Sequence, residues 1–148
     1  MVTRVSAFLD TSALFAGIWS AEGGARMLLK LGETGAIRLL VSSHVLDEIE
    51  RALRRKAPDT LGLLAVLLDR ASVEVVPPPP AAAIRESYAL ISHPGDAQVL
   101  AAAWTARVDY LVTLDRQHFL NNPALRQALP FPVGTPGDFL AWYRRQLP

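Results

Sequence analysis

Four carboxylates in this 148-residue chain sit where folding can gather them. Asp10 ends a short apolar run over residues 5–9, and Asp115 ends another over residues 110–114. If both runs are parallel strands, both acids leave the same edge of one sheet. Asp96 opens a helical pattern that reaches about residue 106, and Glu48 lies inside another over residues 44–56. Val45, Ile49, Ala52 and Leu53 share one face of that second helix, and Glu48 flanks the face instead of opposing it. Glu48 can therefore reach a sheet edge while its helix stays packed, whereas Asp47, Glu50 and Arg51 lie farther round, toward solvent. Like charges in one crevice repel. A divalent cation removes that objection, because Mg²⁺ and Mn²⁺ take oxygen ligands and accept carboxylates together with water and phosphate. Such a cation polarises a phosphoryl oxygen and activates water, and a pair of them steadies both the attacking and the leaving oxygen. Metal-assisted phosphodiester hydrolysis is the chemistry this pattern expects.

Each acid also has a plainer reading. Asp10 before Thr11-Ser12, and Asp96 after Pro94-Gly95, are ordinary helix caps. Asp115 is an ordinary strand terminator. Glu48 is one of several surface acids in Asp47-Glu48-Ile49-Glu50. Only their convergence separates the two sets of readings, so the elements that carry them decide.

Helical spacing of Ala25, Leu28, Leu29 and Leu31 predicts a helix over residues 22–32, closed by Gly32 or Gly35. A strand over 37–41 follows, with Ser42 or Ser43 capping the Glu48 helix. Pro58 suits the first turn of a further helix carrying Leu61, Leu64, Ala65 and Leu68. The third strand covers 73–76. Four prolines at 77–80 then form a rigid loop or a ligand for a polyproline reader. Helices over 81–91 and from Gly95 or Asp96 to 106 precede the fourth strand; a minimal strand at 131–133 and a helix over 136–145 close the chain. Strands alternating with helices predict an α/β fold with a mostly parallel sheet covered on both faces. In such sheets ligands bind beyond the C-terminal strand ends, where the strand order reverses.

Composition narrows the classes. Apolar residues make up 51% of the chain, which excludes extended disorder, and the absence of cysteine excludes disulfide scaffolds, thiol nucleophiles and thiolate metal sites. The net charge of +1 gives nucleic-acid binding no support from bulk charge. The opening Met1-Val2-Thr3-Arg4 is no signal peptide, and no apolar stretch is long enough to span a bilayer, so a cytoplasmic protein with no membrane association is expected. No glycine-rich phosphate loop follows the first strand, and no serine sits on a nucleophile elbow.

Four segments resemble, in order, the motifs of PIN-domain ribonucleases. They are Phe8-Leu9-Asp10-Thr11-Ser12-Ala13-Leu14, Val41-Ser42-Ser43-His44-Val45-Leu46-Asp47-Glu48-Ile49, Asp96-Ala97-Gln98-Val99-Leu100-Ala101-Ala102-Ala103 and Asp109-Tyr110-Leu111-Val112-Thr113-Leu114-Asp115. The resemblance covers about residues 5–119 and implies one PIN-like domain over 1–148, folded as a three-layer α/β/α sandwich. It implies a Mg²⁺- or Mn²⁺-dependent endoribonuclease that cuts single-stranded RNA by in-line attack of water, leaving a 5′-phosphate and a 3′-hydroxyl. It further implies a VapC-like toxin with a cognate antitoxin and a homodimeric state. Carried over residue by residue, the metal-binding and catalytic set is Asp10, Glu48, Asp96 and Asp115, with Asp10 and Asp96 in direct contact with metal. Thr11 or Ser12 would fix Asp10, and Thr113 would donate to Asp115 or to a phosphate oxygen.

One position departs from the family pattern. Many VapC-like toxins carry asparagine at the place of Asp115 and an aspartate three residues later, where this chain has His118 before Phe119. His118 is a loop residue without a role, or it ligates metal or touches phosphate. His44 and His93 read as surface or turn residues, with His93 near enough to Asp96 to help at the crevice. Arg51, Arg54 and Arg55 on the polar side of the Glu48 helix can guide an RNA backbone, or form a solvated face with Glu48 and Glu50 as partners. Trp19, Trp104, Trp142 and Phe139 can stack bases if exposed; Trp104 reads as core and Trp19 as a partner contact. Two other functions stay open at this point: a catalytically silent PIN-like module binding RNA or protein, and an unrelated acidic phosphohydrolase acting on small phosphate esters.

Overall fold

Short apolar runs become central strands here because both of their faces are covered. The structure, a computed structural model, describes residues 4–148. The leader-free reading of residues 1–3 lies outside the described residues. β1 (Ser6–Leu9) and β4 (Tyr110–Val112) are buried at every position. With β2 (Arg38–Ser42), β3 (Glu74–Val76) and β5 (Val133–Gly134) they form one sheet in the order β3-β2-β1-β4-β5. Every neighbouring pair is parallel. The result is the expected three-layer α/β/α sandwich.

Helices make each crossover. α1 (Thr11–Trp19) and α2 (Gly24–Glu33) join β1 to β2. α3 (Ser43–Lys56), a 3₁₀ turn (Pro58–Thr60) and α4 (Leu61–Arg70) join β2 to β3. α5 (Ala81–Tyr88) and α6 (Pro94–Thr105) lead to β4. A π-helical turn (Arg116–Leu120) and α7 (Pro123–Ala128) lead to β5, and α8 (Pro136–Gln146) closes the chain. The π turn and α7 have no counterpart in the periodicity of the sequence, since both are too short to repeat an apolar face.

Local signals explain the boundaries. Asp10 and Ser42 cap α1 and α3 by accepting the N–H groups of Ala13 and Val45. α2 ends in a Schellman motif: Gly35 takes φ +79°, its N–H reaches the Gly32 carbonyl, and the Ala36 N–H reaches the Leu31 carbonyl. Thr135 and Asp138 form a reciprocal capping box on α8. Gly134 lies against the Tyr110 hydroxyl and Asp138, where any Cβ would collide. Tyr110 in turn packs edge-on to Phe139, and burial, then the charge of Asp138, pushes its phenol up to about 12.

Two expectations need correction. The α6 cap is His93, and Asp96 stands in the first helical turn, so it is not a cap. β4 ends at Val112 instead of Leu114, because the Leu114 N–H turns to the Ser12 hydroxyl and its side chain is left exposed. The chain leaves β1 toward β2 and later returns to the other side of β1 as β4, so the strand order reverses between β1 and β4. Their C-terminal ends define the crevice this topology favours.

Candidate functional site

Asp10 follows β1 directly and is 5% exposed. Its Oδ1 accepts from the Ser12 hydroxyl at 2.6 Å and the Ala13 N–H at 3.1 Å, and its Oδ2 accepts from the Thr113 hydroxyl at 2.6 Å. The Thr113 hydroxyl also accepts the Asp115 N–H, and the Ser12 hydroxyl accepts the Leu114 N–H, each at 3.0 Å. These hydroxyls tie the two strand ends together. Ser12 thus fixes Asp10 as one expectation had it. Thr113 donates to Asp10, not to Asp115, and Thr11 donates to Glu48 Oε1 at 3.2 Å, not to Asp10. Burial holds the Asp10 carboxyl above its ordinary value even against three hydrogen bonds, and the charge of Asp115 adds to the rise.

Asp115 caps the π turn. Its Oδ1 accepts the His118 N–H at 3.0 Å, and its Oδ2 lies 2.9 Å from His118 Nδ1. Burial alone would raise this carboxyl, but the backbone N–H and ring of His118 outweigh it and hold Asp115 below the ordinary value. The same bond to Asp115 raises His118. The strand-terminator expectation for Asp115 and the loop expectation for His118 thus meet in one local structure, a π turn that Asp115 caps, and the histidine joins the acids.

Asp96 is the least satisfied group. Its Oδ2 is buried, with His118 Nδ1 at 3.0 Å and His93 Nδ1 at 3.3 Å, yet neither approach has hydrogen-bond geometry. Burial first, and the charge of Asp115 second, push its carboxyl up. A buried carboxylate oxygen with no donor is a rare arrangement that asks for water or an ion. Glu48, half-buried on α3, keeps its Oε1 2.8 Å from His44 Nε2, again off the hydrogen-bonding line. The rings of His93 and His118 stand 4.9 Å apart.

All four predicted acids line one crevice of about 380 Å³, together with Thr11, Ser12, Phe15, Ala52 and Lys56. Among the described residues, ligand atoms that come within 4.8 Å of one another belong to Asp96, Asp115 and His118. These residues can hold a divalent cation: the oxygen and imidazole donors are of the right kind, and among the described residues Asp96 Oδ2 accepts no hydrogen bond. Asp10 and Glu48 stand at the wall of the same crevice, outside that close group. Thr11, Glu48 and Ala52 continue the crevice into a groove lined by Arg51, Arg54 and Arg55. Arg54 stands 3.8 Å from Glu50, an exposed pair, and among the described residues the others carry no salt bridge. Of the aromatic candidates, Phe139 is core, Trp104 and Trp142 are half-buried against it, and Trp19 is 60% exposed and stacked on Phe15.

Sequence reasoning missed Lys56 and Phe15 in the crevice. Glu48, Ala52 and Lys56 repeat every fourth residue along α3, a spacing that puts Lys56 on the row of Glu48. The Lys56 ammonium lies over the Phe15 ring, 5.7 Å from its centroid. The spacing of Asp115 and His118 on one short turn was the available signal for His118.

Residues 6–117 match the family described as PIN domain. No curated protein matches the chain significantly. Several solved structures share the fold. VapBC2 from Rickettsia felis, solved with a DNA fragment from its promoter, gives a TM-score of 0.61 at 16% identity, covering 87% of this chain and 97% of that one. PAE2754 from Pyrobaculum aerophilum gives 0.63 at 19% identity, covering 96% and 99%. Mycobacterium tuberculosis VapC20, described as a Sarcin-Ricin loop cleaving toxin, gives 0.51 at 20% identity, covering 75% and 91%.

Proposed function

The chain belongs to the PIN-domain family, and we propose that it is a metal-dependent endoribonuclease that cleaves single-stranded RNA as the toxin of a toxin–antitoxin pair. The observation that carries this reading is the gathering of Asp10, Glu48, Asp96 and Asp115 around one crevice, with Asp96 Oδ2 buried and without a hydrogen bond. The names of its structural relatives, a VapBC complex and a Sarcin-Ricin loop cleaving toxin, support the same reading.

A bound Mg²⁺ or Mn²⁺ would supply Lewis acidity toward the scissile phosphate and activate water. The protein's own groups then have separate roles. Asp96 and Asp115 would hold the cation from two different elements, and Asp10 would stand behind them, fixed by Ser12 and Thr113. Glu48, steadied by Thr11, would orient water from the α3 side. Arg51, Arg54 and Arg55 would hold the RNA backbone along the adjoining groove, and Lys56 would meet a phosphate at the crevice itself.

Trp19, Met27, Leu63 and Val66 are exposed on α1, α2 and α4, which pack on one another. These exposed apolar side chains support an antitoxin contact or a homodimer. Among the described residues no helix is long and apolar enough to cross a membrane; the proposed toxin role would be exercised in the cytoplasm.

Metal-stripped protein should leave a single-stranded RNA uncut, and Mn²⁺ or Mg²⁺ should restore cutting with 5′-phosphate and 3′-hydroxyl ends. Cutting that persists in a folded Asp10→Ala/Asp96→Ala double variant at the wild-type rate would remove the assignment. Metal binding without any cleavage would favour the silent binding module.

A further inference from the structure

His118 is built into the acid cluster by local geometry. The π turn begins at Asp115, which accepts the His118 N–H at 3.0 Å, and the next residue, Phe119, is fully buried. The ring is thereby anchored from both sides in sequence. Its Nδ1 lies 2.9 Å from Asp115 Oδ2 and 3.0 Å from Asp96 Oδ2. One ring nitrogen thus faces both carboxylates: it shares a hydrogen bond with Asp115 Oδ2, whose proton a cation would replace, and Asp96 Oδ2 is buried without a hydrogen bond. Glu48 is engaged elsewhere, with Thr11 and beside His44, and is not part of this close group.

We propose that His118 is a metal ligand, joining Asp96 and Asp115 through Nδ1, and that its nitrogen makes this site prefer Mn²⁺ over Mg²⁺. The reason is donor chemistry. Imidazole suits first-row transition metals, whereas Mg²⁺ favours oxygen ligands and gives up water reluctantly. An aspartate at this position would make the set all-oxygen and remove the distinction. The inference rests on the proposed function only in taking the crevice to be a metal site; it does not require that RNA be the substrate.

The test uses Mn²⁺ itself as the probe. Pulsed electron paramagnetic resonance on the Mn²⁺-loaded full chain should show coupling to a directly bound nitrogen. That coupling should vanish in His118→Asn and persist in His93→Asn and His44→Asn. Competition titrations should show Mn²⁺ bound at least about tenfold more tightly than Mg²⁺, with His118→Asp removing most of that ratio. Circular dichroism establishes that each variant is folded, and the wild-type spectrum needs no variant at all. Bound Mn²⁺ without nitrogen coupling would overturn the assignment, as would coupling lost in His93→Asn but kept in His118→Asn. The two readings fail separately. Nitrogen coupling without RNA cleavage keeps the His118 ligand and removes the nuclease. Equal cleavage with Mg²⁺ and Mn²⁺ and no coupling keeps the nuclease and removes the ligand.

Discussion

Aspartates gather at both ends of the β1–β4 pair, and those at the two ends are satisfied differently. At the N-terminal end, Asp109 Oδ2 accepts the Ser6 N–H at 2.8 Å and the Ser6 hydroxyl at 3.2 Å, and the Asp109 N–H returns to Ser6. Nearby, Arg38 and Glu74 make a two-bond pair at 2.9 Å that holds Glu74 below its ordinary value. At the C-terminal end, burial raises both Asp10 and Asp96, and Asp96 Oδ2 has no hydrogen bond. Asp10 follows β1, whereas Asp96 reaches this end from the first turn of α6. The N-terminal end closes on its own hydrogen bonds, and the C-terminal end keeps a buried carboxylate oxygen without one.

The largest effect expected from breaking this contrast is on activity. Asp96→Asn should lower RNA cleavage at least about a hundredfold, the scale seen when metal-site groups are removed. Asp109→Asn, at the other end, should leave the rate unchanged. Single-turnover cleavage of one RNA by both variants checks the pair.

The next effect is on RNA binding. Replacing Arg51, Arg54 and Arg55 with alanine should weaken binding and lower the slope of log affinity against log salt by roughly 0.7 for each phosphate no longer neutralised. A salt titration of the catalytically dead protein with and without the triple change reads this slope. An unchanged slope would leave these arginines as a solvated face.

Stability sharpens the comparison from the other side. Asp109→Ala removes the acceptor of the Ser6 N–H and should destabilise the protein by about 1 kcal/mol in urea unfolding. Asp96→Asn removes a desolvated charge and should leave the metal-free protein as stable as wild type, or more so.

The smallest effect concerns pH. A carboxyl raised in the folded state adds stability that is full below its unfolded value and is lost as pH rises through the folded value. The reference value for Asp96 is 3.8, so the metal-free wild type should gain on Asp96→Asn as pH falls from 7 toward 4. Asp115 and Glu74 are lowered, and their contribution is present above the ordinary carboxylate range and lost below it. Unfolding curves of the two proteins at matched pH separate these signs. A stability difference that stays constant over that range would contradict the raised carboxyl of Asp96.

Much of the fold was legible because its signals are local. Asp10 and Ser42 stand at strand-to-helix junctions that their own side chains cap, and the phase of Glu48 on α3 follows from four apolar residues on one face. The placement of the acids around a crevice follows from parallel strands and a reversal of strand order. Partners across the chain were not legible. Thr113 lies 103 residues from Asp10, and only the pairing of β1 with β4 brings its hydroxyl to that carboxylate. His118 entered the cluster through a single π turn, too short for any periodic signal. Leu114 looked like strand because it is apolar, but a hydroxyl on α1 claims its N–H.

The most direct measurement is calorimetric titration of Mn²⁺ into metal-stripped wild type, Asp96→Asn and Asp109→Asn. Wild type and Asp109→Asn should bind equally, and Asp96→Asn at least about tenfold more weakly. Equal Mn²⁺ affinity in all three proteins would contradict the assignment, because Asp96 would then contribute nothing to holding the cation.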